Sequence, residues 1–117
     1  MYFKSDYHEE TALKLMNLCG FKRLEDDREY GSFCYVTTAT YKFNDLQEVA
    51  SEEGIDLDTL EQKMLVYSPS EMDIIRFGLQ LFNANLDDIT IPQVFSSLDE
   101  ENKKVVLEAI KFRYRVS

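Results

Sequence analysis

The chain has few of the residues that carry acid–base, redox or metal chemistry. It contains no tryptophan, one histidine and two cysteines among 117 residues. Histidine titrates near neutral pH and is the commonest metal ligand, so a lone His8 disfavours most acid–base and zinc sites. The surrounding HEETA has no second histidine one helical turn later, so the zinc-protease helix motif fails. We expect His8 to be a surface residue in the first turn of a helix.

Long apolar runs are also missing. Charges interrupt the opening MYFKSDYHEE, and no stretch approaches the roughly twenty apolar residues of a membrane-spanning helix. We therefore expect a cytoplasmic protein with no membrane partner. In that reducing setting, Cys19 and Cys34, which lie among apolar residues, are predicted to be two buried free thiols. A disulfide between them is the alternative.

Acidic residues outnumber basic ones by 22 to 13, which gives a formal net charge of −9. Between residues 45 and 61 there are seven acids and no base. Such a run is usually a solvated face, but aligned carboxylates could imitate a row of phosphates and occupy the basic site of a partner. The residues of this possible partner-binding acidic face are Glu52, Glu53, Asp56, Asp58 and Glu61.

No metal, cofactor or catalytic site is predicted. Asp56, Asp58 and Glu61 are spaced loosely like calcium ligands, but the glycine and the full ligand pattern of a calcium loop are missing. Nucleic-acid binding is disfavoured by the overall charge, because it depends on neutralising phosphates with cations. The basic end KFRYR does interleave cations with aromatics as single-strand binders do, although a helix C-terminus also favours cations.

Capping patterns and apolar spacing predict an all-α fold, a single-domain bundle of five to seven helices over residues 1–117. Helix starts, each with a capping side chain and a later Glu, occur at Asp6, Ser68 and Ser97. The predicted helices span residues 7–19, 57–64, 69–83 and 98–115, with another ending near Gly54 and a short turn of helix beginning at Pro92.

The helix over 69–83 is predicted to be the central, buried one. Most of its circumference is apolar, and a helix of that kind must be surrounded by other elements. Gly78 would let a neighbouring helix approach closely. The polar residues fall on one narrow stripe: Asp73, Arg76, Gln80 and Asn83.

Residues 30–43, YGSFCYVTTATYKF, fit two secondary structures. Aromatic, β-branched and threonine residues favour a strand on propensity. The spacing of the apolar residues also fits one face of a helix that begins after Asp26 and Asp27. We predict a helix here.

Three segments of the sequence resemble a family of short uncharacterised proteins from Gram-positive bacteria and their phages and mobile elements. The segments are MYFK, SPSEMDIIRFGLQLFNAN and VFSSLDEENKKVVLEAIKFRYR, together 44 of the 117 residues. They coincide with predicted helix starts and core-facing helices, so the resemblance implies a fold and no chemistry. The acidic middle differs most from the family's pattern.

Two functions remain open. The first is a non-enzymatic interaction or regulatory protein that binds a protein partner, with a homo-oligomer as one form. Three features of the sequence favour this function. The chain has eight Phe and seven Tyr, it has a high net charge, and it lacks a group of reactive side chains that would form one catalytic site. The alternative is a small-ligand binder or enzyme whose site is assembled from scattered polar residues, for which the candidates are His8, Tyr35, Tyr41 and Arg76.

Overall fold

The computed structural model describes residues 1–117 and shows seven α-helices in one bundle. The all-α prediction and the number of helices are confirmed. No helix is both long and apolar enough to cross a bilayer. A 3-10 turn at Leu24–Asp26 precedes the second helix, and β1 (Ala50–Ser51) pairs antiparallel with β2 (Gly54–Ile55). The helices are α1 Asp6–Leu18, α2 Arg28–Thr38, α3 Phe43–Val49, α4 Leu57–Met64, α5 Pro69–Phe82, α6 Ile91–Ser96 and α7 Glu100–Tyr114.

The start of α5 matches its prediction closely. The Ser68 hydroxyl accepts a hydrogen bond from the Glu71 amide at 3.3 Å, and the Glu71 carboxylate accepts one from the Ser68 amide at 2.9 Å. Pro69 follows at the first helical position, where its missing N–H has no cost. All of these contacts lie within four consecutive residues, 68–71, so the local sequence alone predicts the start of α5.

Two other predicted helix starts are wrong by one or two residues. Ser5, not Asp6, caps α1, and Asp99, not Ser97, caps α7. The Ser5 hydroxyl oxygen lies 3.1 Å from the His8 amide nitrogen, and an Asp99 carboxylate oxygen lies 2.9 Å from the Asn102 amide nitrogen. The capping residue in each pair has extended backbone geometry, which places its side chain over the end of the helix.

The most deeply enclosed helix is α2, and α5 shares the centre of the bundle with it. Eight of the eleven α2 residues are buried, against five of the fourteen in α5. Small polar residues of α2 tolerate this burial because their hydroxyls bond to the preceding turn. Thr37 donates to the Phe33 carbonyl at 2.7 Å, and Thr38 donates to the Cys34 carbonyl at 2.6 Å.

The close approach of α2 and α5 depends on Gly78, as the sequence indicates. A β-carbon on Gly78 would lie 2.7 Å from Thr37 Cγ2 and 2.9 Å from Val36 Cγ1. Both distances are shorter than packed carbon atoms tolerate. The absence of a side chain at Gly78 therefore allows α2 and α5 to meet.

Residues 30–43 form a helix only as far as Thr38. Tyr41 has a φ of 60°, in the left-handed region, so it lies beyond the helix and begins the turn into α3. The helix predicted to end near Gly54 also stops early, at Val49. Gly54, with a φ of 121°, instead closes a two-residue hairpin that the sequence analysis did not predict.

Candidate functional site

Five carboxylates on the segment from α3 to α4 make no ion pair. The other acids of this segment are partly neutralised, because Lys63 lies 3.7 Å from Asp45 and also pairs with Glu48. The unpaired carboxylates are all exposed, and they are the five residues predicted for the acidic face: Glu52, Glu53, Asp56, Asp58 and Glu61.

Asp56 has a structural task within this segment. Its carboxylate accepts hydrogen bonds from the Thr59 amide at 3.2 Å and the Thr59 hydroxyl at 2.7 Å, which caps α4. These hydrogen bonds, first of all that from the hydroxyl, lower the pKa of Asp56. Because the Asp56 amide also donates to the Val49 carbonyl at 2.7 Å, the cap anchors α4 to the end of α3.

The five carboxylates lie at three different places on the surface. Asp58 and Glu61 line a groove between α4 and α5. Glu53 and Asp56 line a depression beside the hairpin, and the Glu52 side chain lies against Gly20 at the end of α1. The groove has four apolar lining residues, and the depression beside the hairpin has three, Val49, Ala50 and Ile55.

We call this surface the α4–α5 groove. It encloses about 420 Å³ and combines an apolar floor with a charged rim. The rim side chains are Asp58, Glu61, Asp87 and Arg76, three carboxylates against one guanidinium. The floor is formed by Leu57, Met64, Leu79 and Leu86.

Arg76 is held within the rim by Asp87. Its Nε lies 3.2 Å and 3.1 Å from the two Asp87 carboxylate oxygens, and its Nη2 lies 3.5 Å from Asp88. Hydrogen bonding to Asp87 raises the pKa of Arg76. Gln80 donates to the Asp87 carbonyl at 3.1 Å, which fixes the same loop against α5. Two residues of the polar stripe predicted on α5, Arg76 and Gln80, therefore hold one side of the groove in place. The carboxylates of the rim still outnumber its one cation.

An exposed apolar pair follows Met64 directly in the chain. Leu65 is 67% exposed and Val66 is 88% exposed, although α5 is capped only two residues later. Single exposed apolar residues are ordinary, whereas two adjacent ones next to a residue that lines an apolar groove are candidates for partner contact. Sequence analysis missed this pair. The available signal was a connection between α4 and α5 that is too short to fold Leu65 and Val66 back on the core.

The expectation that His8 is a surface residue is wrong. Its side chain is 0% exposed and lies beneath the first residues of the chain, with its ring centroid 5.3 Å from that of Phe3. The Lys4 amide donates to Nδ1 at 3.1 Å, and Nε2 lies 2.7 Å from the Tyr35 carbonyl oxygen. These contacts fit a neutral ring with its proton on Nε2, and burial lowers the pKa of His8.

The four scattered candidates for a ligand site do not converge on a cavity. Tyr35 is buried beside His8, and its hydroxyl donates to the Tyr2 carbonyl. Tyr41 is exposed, and its hydroxyl oxygen lies 3.0 Å from the Ser5 hydroxyl oxygen. None of the surface cavities is lined by His8, Tyr35 or Tyr41, and Arg76 lies in the α4–α5 groove. No group of three or more potential metal-binding side chains is present.

The prediction of two buried free thiols is confirmed for Cys19 and Cys34. Cys19 lies at the end of α1 and Cys34 in the middle of α2, and the Cys34 side chain lowers the pKa of Cys19. Burial raises the pKa of Cys34 and keeps it in the unreactive thiol form.

Comparison of the chain with protein-family models, with curated proteins and with solved structures gives no match.

Proposed function

We propose that this protein is a non-enzymatic interaction factor that binds a positively charged segment of another protein in the α4–α5 groove. One observation carries the proposal: an apolar floor and an unbalanced acidic rim occur together in the α4–α5 groove, and the exposed pair Leu65 and Val66 directly follows the lining residue Met64 in the chain. A cytoplasmic regulatory or accessory role agrees with this chemistry, as does the resemblance to short proteins of bacteria and their phages.

The floor and the rim would act on different parts of the partner. Apolar anchors that enter a desolvated pocket supply most of the energy of a protein interface. Rim charges mainly steer the encounter and select against partners of like charge. Asp58 and Glu61, which have no cation of their own, would pair with Lys or Arg side chains that flank the anchor. A short amphipathic basic helix satisfies both requirements.

Charge disfavours a second copy of this chain as the occupant of the groove. A symmetric pair of chains would place each acidic rim against an identical rim. The whole chain also carries a net charge of −9, which opposes self-association and attracts a basic partner. We therefore assign the groove to a different, basic protein.

Site-specific photo-crosslinking in the native cell tests the location of the interface. A photoreactive amino acid replaces Leu65 in one variant and Leu107, an exposed residue of α7, in the matched control. We expect one discrete crosslinked protein from position 65, with a basic segment at the crosslink, and none from position 107. Crosslinking of the same protein from position 107 alone would contradict the proposal.

A further inference from the structure

A second concave surface lies where the first turn of α2 meets the last turns of α7. We call it the cationic depression; it encloses about 430 Å³. Three cationic side chains, Arg28, Lys111 and Arg115, line it, and Glu108 is the one carboxylate side chain among them. The remaining lining residues are Met1, Phe112, Val116 and Ser117.

The three cations have no carboxylate partner. The seven ion pairs of the chain involve other bases, although acids are in large excess. Even Glu108, which lines the same depression, does not pair with Arg28, Lys111 or Arg115. The side chains of the depression therefore retain a net charge of about +2 at neutral pH on a protein that is otherwise strongly acidic.

Arg28 is held in place by contacts with Phe112, but only part of its hydrogen-bonding capacity is used. Its Nη1 donates to the Phe112 carbonyl at 3.2 Å, and its guanidinium carbon lies 4.4 Å from the centre of the Phe112 ring. Its Nε is buried and has no hydrogen-bond partner. Nη2 has no protein partner either. Nε and Nη2 lie on the same edge of the guanidinium, and this edge is the fork that binds phosphate and carboxylate groups once the side chain turns Nε toward the depression.

Helix electrostatics account for two of the cations but not for the third. Lys111 and Arg115 lie at the C-terminal end of α7, where positive charge is favourable. Arg28 is the first residue of α2, where the helix dipole disfavours a cation and favours an anion. A bound anion would offset the unfavourable position of Arg28 and supply the missing hydrogen-bond acceptors.

We propose that the cationic depression binds the phosphate group of a small phosphorylated molecule, with Arg28, Lys111 and Arg115 as its ligands. A phosphate monoester carries a charge of about −1.5 to −2 at neutral pH, which balances the depression, whereas a single carboxylate would leave it positive. A nucleic-acid strand is less suitable, because its further phosphates would meet the acidic surface of the remaining chain.

The test follows the Arg28 Nε–H resonance by nitrogen-15 NMR during titration with inorganic phosphate and with glycerol phosphate at constant ionic strength. We expect a saturable shift at Arg28 with both probes and none at the Nε–H of Arg23, which pairs with Asp26. Lys111→Gln and Arg115→Gln should each weaken binding about tenfold, because each removes a charge-assisted hydrogen bond. Lys103→Gln, a matched change on α7 outside the depression, should leave binding unchanged.

Several outcomes would overturn the assignment. They are an Arg28 shift that sodium chloride reproduces, phosphate binding that survives both glutamine variants, and tighter binding of succinate than of either phosphate probe. Binding of a single-stranded oligonucleotide without binding of the small phosphates would overturn it as well. The unfolding midpoint of each variant, measured beside the wild type, separates lost binding from lost structure.

Discussion

The Nε2 atom of His8 lies 2.7 Å from the carbonyl oxygen of Tyr35, and this contact joins the first turn of α1 to the middle of α2. The carbonyl accepts a hydrogen bond from the ring, and the ring accepts one from the Lys4 amide on its other nitrogen. Both contacts are to backbone, so the neutral, singly protonated ring satisfies them completely. A second proton on the ring would face a donor and break the contact with Lys4.

The stability of the protein should therefore fall in mild acid. Burial lowers the pKa of His8 in the folded state below its ordinary value of about 6.5. As the pH drops below that value, the unfolded chain takes up a proton before the folded chain does, so the free energy of unfolding decreases. Urea unfolding at about pH 7.5 and about pH 5.5 measures this loss.

His8→Gln is the control for this pH dependence. The glutamine amide can donate to the Tyr35 carbonyl but does not titrate. We expect a variant that is less stable at neutral pH and loses less stability on acidification. An equal loss of stability in the wild type and in His8→Gln would show that His8 is not the responsible group.

Gly78→Ala should destabilise the bundle by about 1–2 kcal/mol. Alanine favours a helix over glycine by about 1 kcal/mol, but the new methyl group would press on Thr37 Cγ2 and Val36 Cγ1 between two rigid helices. Thr37→Ser removes the nearer methyl group and should recover part of the loss in the double variant. Chemical denaturation of the two single variants and the double variant measures this coupling, and a more stable Gly78→Ala would contradict the packing described here.

Cys19 and Cys34 should react slowly with an aromatic disulfide reagent in the native state. Both thiols are buried, so a reagent reaches them only when the helices open. Burial also raises the pKa of Cys34, whereas the neighbouring Cys34 side chain lowers the pKa of Cys19, so Cys19 is protected by its burial alone. We expect two rapidly reacting thiols in denaturant and a far slower reaction without it. Immediate reaction of either thiol in the folded protein would show that α1 and α2 separate readily.

Sequence signals predicted those parts of the fold that depend on neighbouring residues. Ser68, Pro69 and Glu71 satisfy the start of α5 among themselves, and the five unpaired acids follow from the absence of bases nearby. The burial of His8 depends instead on a carbonyl 27 positions away, which the sequence near His8 cannot indicate.

Long-range packing also explains why the deep burial of α2 and the presence of the α4–α5 groove were not predicted. The threonine residues of α2 suggest a partly polar, exposed helix. The hydroxyls of Thr37 and Thr38, however, donate hydrogen bonds to carbonyl groups of the same helix, so both side chains can be buried. Asp58 and Glu61 belong to the predicted acidic face, but half of the floor beneath them, Leu79 and Leu86, comes from α5 and the loop that follows it. The groove exists only once those elements pack together.

The affinity of matched acidic variants for the basic protein crosslinked at position 65 tests the central claim most directly. Asp58→Asn with Glu61→Gln alters the rim of the groove, whereas Glu52→Gln with Glu53→Gln changes the net charge equally outside it. We expect the groove variant to bind about three- to tenfold more weakly, with a larger difference at low salt, and the hairpin variant to bind like the wild type. Equal affinities of the two variants would contradict the assignment of the partner to the α4–α5 groove.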